Sequence, residues 1–303
     1  MAIENGFISL KGYSKKVPRR IQAVPFFRPA TPELRYLPEC PRVIGNSLLW
    51  VSIQYAADDP RGGLNVLDLA TGENCHHPLP GRPGFFAETN EPDILVIGLD
   101  RRLVLYDRKR EQITRTLATL PDDERVIIND GIAIPGGLIF GTKHLQFSLP
   151  VAALYHYDNA TGELRELRGG QICSNGKVFD RGTLIDIDTQ PKTITEYRYD
   201  GGLHPLRLIA PPATLPALPD GMRPMRGGTS IVVAYYNPEP VADGLAQEIR
   251  LSDGAVLTEW TLPGSPRVTC PEVAGDFVYF TTAVEGMSSP TPHAGSIFRA
   301  QAH

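Results

Sequence analysis

One strand-and-turn unit returns six times along this chain. Its clearest copy is Leu64-Asn65-Val66-Leu67-Asp68-Leu69, closed by the turn residues Ala70-Thr71-Gly72-Glu73. Leu154-Tyr155-His156-Tyr157-Asp158 repeats the strand, and Asn159-Ala160-Thr161-Gly162-Glu163 repeats the turn. Further copies are Leu103 to Asp107, Glu196 to Asp200, Gln247 to Leu251 ahead of Asp253-Gly254, and Gly295 to Arg299. The steps are about 40 to 50 residues, the length of a four-stranded propeller blade. A second apolar run precedes each copy: Leu48 to Ile53, Ile94 to Gly98, Leu138 to Gly141, Leu184 to Ile187, Ile231 to Tyr236 and Phe277 to Thr282. These runs are rich in β-branched and aromatic residues, and few segments keep a helical period. A β-sandwich would also give short strands, but not six copies of one unit. The sequence predicts an all-β fold, a six-bladed β-propeller. The Trp-Asp and Gly-His signatures of WD40 blades are missing.

Composition agrees with many short strands and tight turns. The 303 residues include 29 glycines and 28 prolines, too many for a helical protein. Residues 1–35 read as an irregular N-terminal lead-in with a solvated basic cluster from Lys15 to Arg20, and residues 36–303 as a single propeller domain. The Pro- and Ala-rich stretch from Pro211 to Pro219 falls inside the blade count and reads as an inter-blade loop. A net charge of −4 gives no reason to expect nucleic acid or an anionic membrane as partner. No apolar run approaches the ~20 residues of a membrane span, and no apolar stretch follows the N-terminal basic residues as a signal peptide requires. Four scattered cysteines, Cys40, Cys75, Cys173 and Cys270, form no CxxC pair and suit a reducing compartment, so a cytoplasmic protein is expected. Propeller edges are short and protected, compatible with a monomer or a dimer.

The chemistry is read from a second period. Asn129-Asp130-Gly131, Ser174-Asn175-Gly176 and Pro219-Asp220-Gly221 place Asn129, Asn175 and Asp220 at steps of 46 and 45 residues. Glu39 lies 90 residues before Asn129, two such steps. A single Asx-Gly is ordinarily a turn, because glycine takes positive φ and Asx bonds its own backbone. Even spacing in a propeller instead suggests side chains converging at one depth around one axis. Glu39, Asn175 and Asp220 together would suit a hard divalent cation: two carboxylates offset its charge, and water fills the remaining positions.

The ordered motifs carry a resemblance. Ile128-Asn129-Asp130-Gly131 leads to Phe140-Gly141-Thr142 and Ala153-Leu154-Tyr155. Ser174-Asn175-Gly176, Pro219-Asp220-Gly221-Met222, Val268-Thr269-Cys270, Phe280-Thr281-Thr282-Ala283, Glu285-Gly286-Met287 and Ala294-Gly295-Ser296-Ile297-Phe298 follow. That order resembles the senescence marker protein/regucalcin/gluconolactonase family over roughly residues 36 to 300. The resemblance implies a six-bladed propeller with one divalent cation in its central channel, Ca²⁺ foremost, with Mg²⁺, Mn²⁺ or Zn²⁺ as alternatives. It implies hydrolysis of a lactone, with Glu39, Asn175 and Asp220 on the metal, Asp220 as general base toward water, and Asn129 on the substrate side.

Departures from the family pattern matter too. Glu39 and Pro41 are kept within Pro38-Glu39-Cys40-Pro41-Arg42-Val43, but the flanking glycines and tryptophan are not. Ile127 stands where the family often has an arginine that grips sugar hydroxyls or a carboxylate, so a substrate less polar than an aldonolactone is expected. Lys177 stands where an apolar residue is usual. His144 reads either as a substrate contact at the channel mouth or as a surface-loop histidine. Cys173 reads as a packed thiol, one of Tyr235 and Tyr236 as a channel residue, and His76-His77 as an exposed loop. No Gly-x-Ser-x-Gly and no phosphate-cradling loop appears. Two alternatives stay beside the lactonase: a non-catalytic propeller that binds a small ligand or calcium, and a phosphotriester hydrolase using the same site.

Overall fold

The computed structural model describes residues 17–302. Six antiparallel sheets stand around an axis, which makes the chain a six-bladed β-propeller. Blade 1 runs outward through Pro38–Ile44, Ser47–Ser52, Gly62–Asp68 and Asn74–Leu79. Blade 2 is Pro83–Glu88, Ile94–Leu99, Arg102–Asp107 and Gln112–Thr119. Blade 3 is Val126–Ile134, Gly137–His144, Ala152–Asp158 and Leu164–Gln171. Blade 4 is Ser174–Asp180, Thr183–Asp188, Thr193–Tyr199 and Leu203–Leu208. Blade 5 is Leu218–Met225, Ser230–Tyr236, Gly244–Arg250 and Val256–Leu262. Blade 6 has Val268–Ala274, Phe277–Thr282 and Ile297–Gln301. Among the described residues no helix is long and apolar enough to cross a membrane.

The six copies of the repeating unit are the third strands, and the runs that precede them are the second strands. The turn chemistry is visible in two of them. Asp68 Oδ1 accepts from the Ala70 and Thr71 amides, and Glu73 N donates to Thr71 Oγ1. Asp158, Ala160, Thr161 and Glu163 reproduce this arrangement in blade 3. Gly72 and Gly162 take φ of 75° and 72° there, a region closed to most side chains. Aromatic rings fill the space between neighbouring blades. Phe85 and Phe140 stack at 6.1 Å, Phe140 and Tyr155 at 5.6 Å, and Trp260 tilts on Phe280 at 5.9 Å.

The expectation of an irregular lead-in over residues 1–35 fails at its second half. Val24–Phe27 is the outer strand of blade 6, antiparallel to Ile297–Gln301. Arg19–Gln22 adds a fifth, parallel strand to blade 5 beside Val256–Leu262. The two ends of the chain thus close the ring together. Both strands are four residues long, and Pro25 sits in one of them. Proline is tolerated there because the strand is an edge. Lys15 and Lys16 of the basic cluster lie outside the described residues, while Arg20 is on the blade 5 strand and pairs with Glu259 at 3.3 Å.

Each first strand faces the axis and breaks register with its second strand at the same level. The breaks fall between Glu39 and Arg42, Pro83 and Phe85, Ile128 and Asp130, Ser174 and Lys177, Pro219 and Met222, and Val268 and Cys270. A β-bulge inserts residues without a partner and re-aims their side chains. The bulges carry Gly84, Asn129, Asn175, Asp220 and Thr269, and Glu39, paired with Val51, directly flanks the one in blade 1. Gly84 is the unread step of the period, 45 residues from both Glu39 and Asn129. A Cβ on it would stand 2.5 Å from the Ile128 carbonyl oxygen and 2.6 Å from that of Asn129. Glycines 176 and 221 likewise leave no room for a Cβ, against Met222 N and Cys270 Sγ respectively. The Asx-Gly pairs are therefore bulges at the axis where inner strands crowd together, and not hairpin turns.

Candidate active site

A cavity of about 430 Å³ opens at the axis, and Glu39, Asn129, Asn175 and Asp220 all line it. Each comes from a different blade, and each sits at the bulge of its inner strand. The walls are largely apolar, with Leu37, Ile53, Leu218, Tyr236 and Pro238 around them and Phe147 at the rim. Such a chamber suits a small ring compound held by a few placed polar groups.

The two carboxylates repel one another. Burial raises the Glu39 carboxyl to about 8, with the Asp130 charge adding to the rise; its own Cys40 amide, donating to Oε2 at 3.0 Å, opposes it, as does Lys143. Burial also raises Asp220 well above the ordinary carboxylate range, and the Glu39 charge is the next cause. Asn175 Nδ2 donates to Asp220 Oδ1 and to Thr189 Oγ1 (3.2 Å), and Thr189 in turn donates to the Pro219 carbonyl at 2.9 Å. Asn129 Nδ2 donates to the Ser174 carbonyl at 3.0 Å and reaches Cys173 Sγ at 3.7 Å.

A buried ionic layer supports these groups. Lys177 Nζ donates to the Asn175 carbonyl at 2.6 Å and pairs with Asp186 Oδ1 at 3.2 Å. Asp186 also accepts from Ser174 Oγ at 3.0 Å and Gln171 Nε2 at 2.6 Å. Burial lifts the Asp186 carboxyl to about 6, against the pull of Lys177. The lysine that departs from the family pattern is thus bonded to the backbone of Asn175.

The arrangement fits a hard cation. Two buried carboxylates, each raised by desolvation and by neighbouring charge, gain from a positive partner between them. Asn175 has its amide nitrogen engaged by Thr189 and Asp220, which leaves Oδ1 as its free donor. Among the described residues no group of three or more His, Cys, Asp or Glu gathers, so the set depends on this amide. Soft or imidazole-rich coordination is not what these donors offer.

Other expected site residues lie elsewhere. Ile127 and His144 are buried, and neither lines the cavity. His144 Nδ1 accepts from the Ser148 and Leu149 amides at 3.2 and 3.3 Å, so its ring shapes the loop after the strand rather than the channel mouth. Its neighbour Lys143 lines the cavity instead. The bulge at Asn129 shifts the phase of the blade 3 strand pair, which a count of alternation along the sequence does not register. Tyr236 lines the cavity and donates to Glu285 Oε2 at 3.2 Å, while Tyr235 turns away and donates to Gln247 Oε1 at 3.0 Å. Cys173 lines the cavity, but burial raises its thiol to about 12, so no thiolate nucleophile is available. His76 and His77 sit on the outer strand of blade 1, where His76 bonds Tyr55 Oη at 2.8 Å and Asn65 Oδ1 at 3.1 Å. The sequence carried a signal for Glu285 in Glu285-Gly286-Met287, but none for Lys143.

Known proteins share this fold. The chain is 27% identical to an L-arabinolactonase from Azospirillum brasilense over 236 residues, 74% of this chain and 76% of that one. Its fold matches a calcium-binding protein, regucalcin, from Agrobacterium tumefaciens with a TM-score of 0.79 at 21% identity, covering 94% and 96% of the two chains. It matches a gluconolactonase from Xanthomonas campestris with a TM-score of 0.69 at 17% identity, covering 93% and 89%. The profile of the SMP-30/Gluconolactonase/LRE-like region spans residues 37–284, and the chain belongs to that family.

Proposed function

We propose that this protein is a divalent-cation-dependent lactonase. The observation that carries the reading is the convergence of Glu39, Asn175 and Asp220, from three blades, on one cavity with apolar walls. The likeness to an arabinolactonase supports it. Glu39, Asn175 and Asp220 hold the cation. When bound, it polarises the ester carbonyl and offsets the negative charge that develops on its oxygen. Asp220 accepts the proton of the attacking water as the new C–O bond forms. The ring C–O bond then breaks, and that proton passes to the departing alkoxide, so a hydroxy acid is released. Asn129, fixed by its bond to the Ser174 carbonyl, orients the substrate. The apolar walls hold the ring and keep bulk water out. Ca²⁺ fits the oxygen donors best, and the walls favour a lactone less hydroxylated than an aldonolactone.

The test is proton release from a panel of lactones by metal-stripped protein, before and after adding Ca²⁺, Mg²⁺, Mn²⁺ or Zn²⁺. Metal-restored turnover that Asp220→Ala abolishes is the expected result. Full activity and metal occupancy in Asp220→Ala would sink the assignment. A second reading, cation binding without turnover, is supported by the likeness to a calcium-binding regucalcin. Bound metal with no turnover on any lactone would favour it.

A further inference from the structure

Lys143 is a charged group of the cavity that neither the motif nor the proposed mechanism uses. It sits on the second strand of blade 3, where its Cα partner across the ladder is Ile127. Directly opposed residues on paired strands carry their side chains on the same face. Lys143 thus shares a face with Ile127 and brings a positive charge to it.

The Lys143 side chain is 7% exposed and lines the cavity. Among the described residues its ammonium has no hydrogen bond and no carboxylate oxygen within 4.0 Å; its near neighbour is the Phe147 ring, 5.4 Å from the ammonium to the centroid. Lys177 is paired with Asp186, and Arg223 with Glu272 at 3.2 Å, while Arg267 behind Tyr236 bonds the Pro238 and Gly286 carbonyls. A buried ammonium with no bonded partner is costly, and a ligand anion removes that cost.

We propose that Lys143 binds a carboxylate on the substrate, so that the site takes cyclic esters bearing an acidic substituent. The proposal deepens the lactonase reading and rests on it for the ester, but not for the anion. The acid group lies toward blade 3, beside Asn129. The ester lies toward Asp220, with the ring against Leu37, Ile53 and Leu218. The substrate is then apolar in its ring, as the walls favour, and charged at one end.

The test separates anion binding from turnover. Calorimetry would compare tetrahydrofuran-2-carboxylate with its neutral alcohol, tetrahydrofurfuryl alcohol, on metal-loaded wild type, Lys143→Met and Lys143→Arg. Neither probe contains an ester. The expected result is a preference for the acid of about tenfold in wild type, the size of one charge-assisted hydrogen bond. Lys143→Met erases the preference, and Lys143→Arg retains it. No preference in wild type, or one that survives in Lys143→Met, overturns the proposal; the latter would mean that the carboxylate sits on the cation. Were Lys143→Met to misfold, Lys143→Gln would carry the same comparison. Kinetics on 5-oxotetrahydrofuran-2-carboxylate and γ-valerolactone then read the specificity. Lys143→Met should cut kcat/KM for the acid about tenfold more than for the neutral lactone. Equal loss on both would make Lys143 a general counter-ion and overturn the proposal. If neither lactone turns over but the acid preference stands, the lactonase reading has failed and the anion site has not.

Discussion

Lys177 Nζ donates to the carbonyl oxygen of Asn175 at 2.6 Å, from a side chain that is entirely buried. The same ammonium pairs with Asp186, so the backbone of a proposed metal ligand is fixed by an internal ion pair. Removing one partner of such a pair leaves the other charged and dry. Lys177→Met should destabilise the protein by about 3–5 kcal/mol, measured by urea unfolding. The double variant Lys177→Met/Asp186→Leu should recover most of that loss. Both should bind the cation more weakly than wild type, because the Asn175 carbonyl loses its tether.

Glu39 and Asp220 destabilise the protein when no cation is present, since both are buried and the Glu39 charge raises Asp220 further. Glu39→Gln should raise the melting temperature of metal-stripped protein, by about 2–4 °C for each kcal/mol of repulsion removed. The same variant should lose most of the rise that added Ca²⁺ gives wild type. Turnover on any lactone should fall by about a hundredfold or more. A variant that stabilises the stripped protein and still responds fully to Ca²⁺ would exclude Glu39 from the metal set.

The pH dependence of stripped protein follows from the sign of the shift. The Glu39 carboxyl is raised in the folded state, to about 8. The folded protein therefore holds that proton at pH values where the unfolded chain has released it. Stability from this group is fully present below the ordinary glutamate range and is lost as pH climbs through it toward 8. The groups whose charges act on it are Asp130, Lys143 and Arg223, and Asp220 shifts in the same direction. Melting temperature should fall between pH 5 and 8 in stripped wild type, less steeply in Glu39→Gln, and less steeply again with Ca²⁺ bound. A flat profile in stripped wild type would contradict the buried-pair description.

Gly84 is the blade 2 counterpart of the polar site residues, and it is the position where the inner strands of blades 2 and 3 touch. Gly84→Ala drives a methyl into two backbone oxygens, which cannot swing aside. The expected cost is about 1–3 kcal/mol or more by denaturant titration. Gly72→Ala, at a positive φ in an open turn, should cost only about 1 kcal/mol. Equal costs would argue against the crowding of the inner strands.

The second and third strands of every blade were legible because their apolar alternation is regular and their turns use side chains with fixed hydrogen bonds, as at Asp68 and Asp158. The first strands were not. Their bulges interrupt alternation where the site is built, so Glu39, Asn129, Asn175 and Asp220 were found by spacing instead. Gly84 broke that spacing to the eye because a glycine carries no chemistry, although it occupies the same position. Choosing between Lys143 and His144 needed the register across a bulge, which is a property of two strands and not of one. The strands at Arg19–Gln22 and Val24–Phe27 escaped because four residues with a proline make no pattern until a partner from the far end of the chain defines them.

The closure of the ring has a consequence for synthesis on the ribosome. The segment Val24–Phe27 emerges before the first blade, yet its partner Ile297–Gln301 emerges after the other five blades. Until Ile297–Gln301 is made, blade 6 lacks its third strand and Val24–Phe27 has nothing to pair with. The nascent chain thus waits with five blades and two open edges, a shape prone to pair with other chains. Ile297–Gln301 seals the circle in one late, long-range step, and the cavity on the axis takes its shape only then.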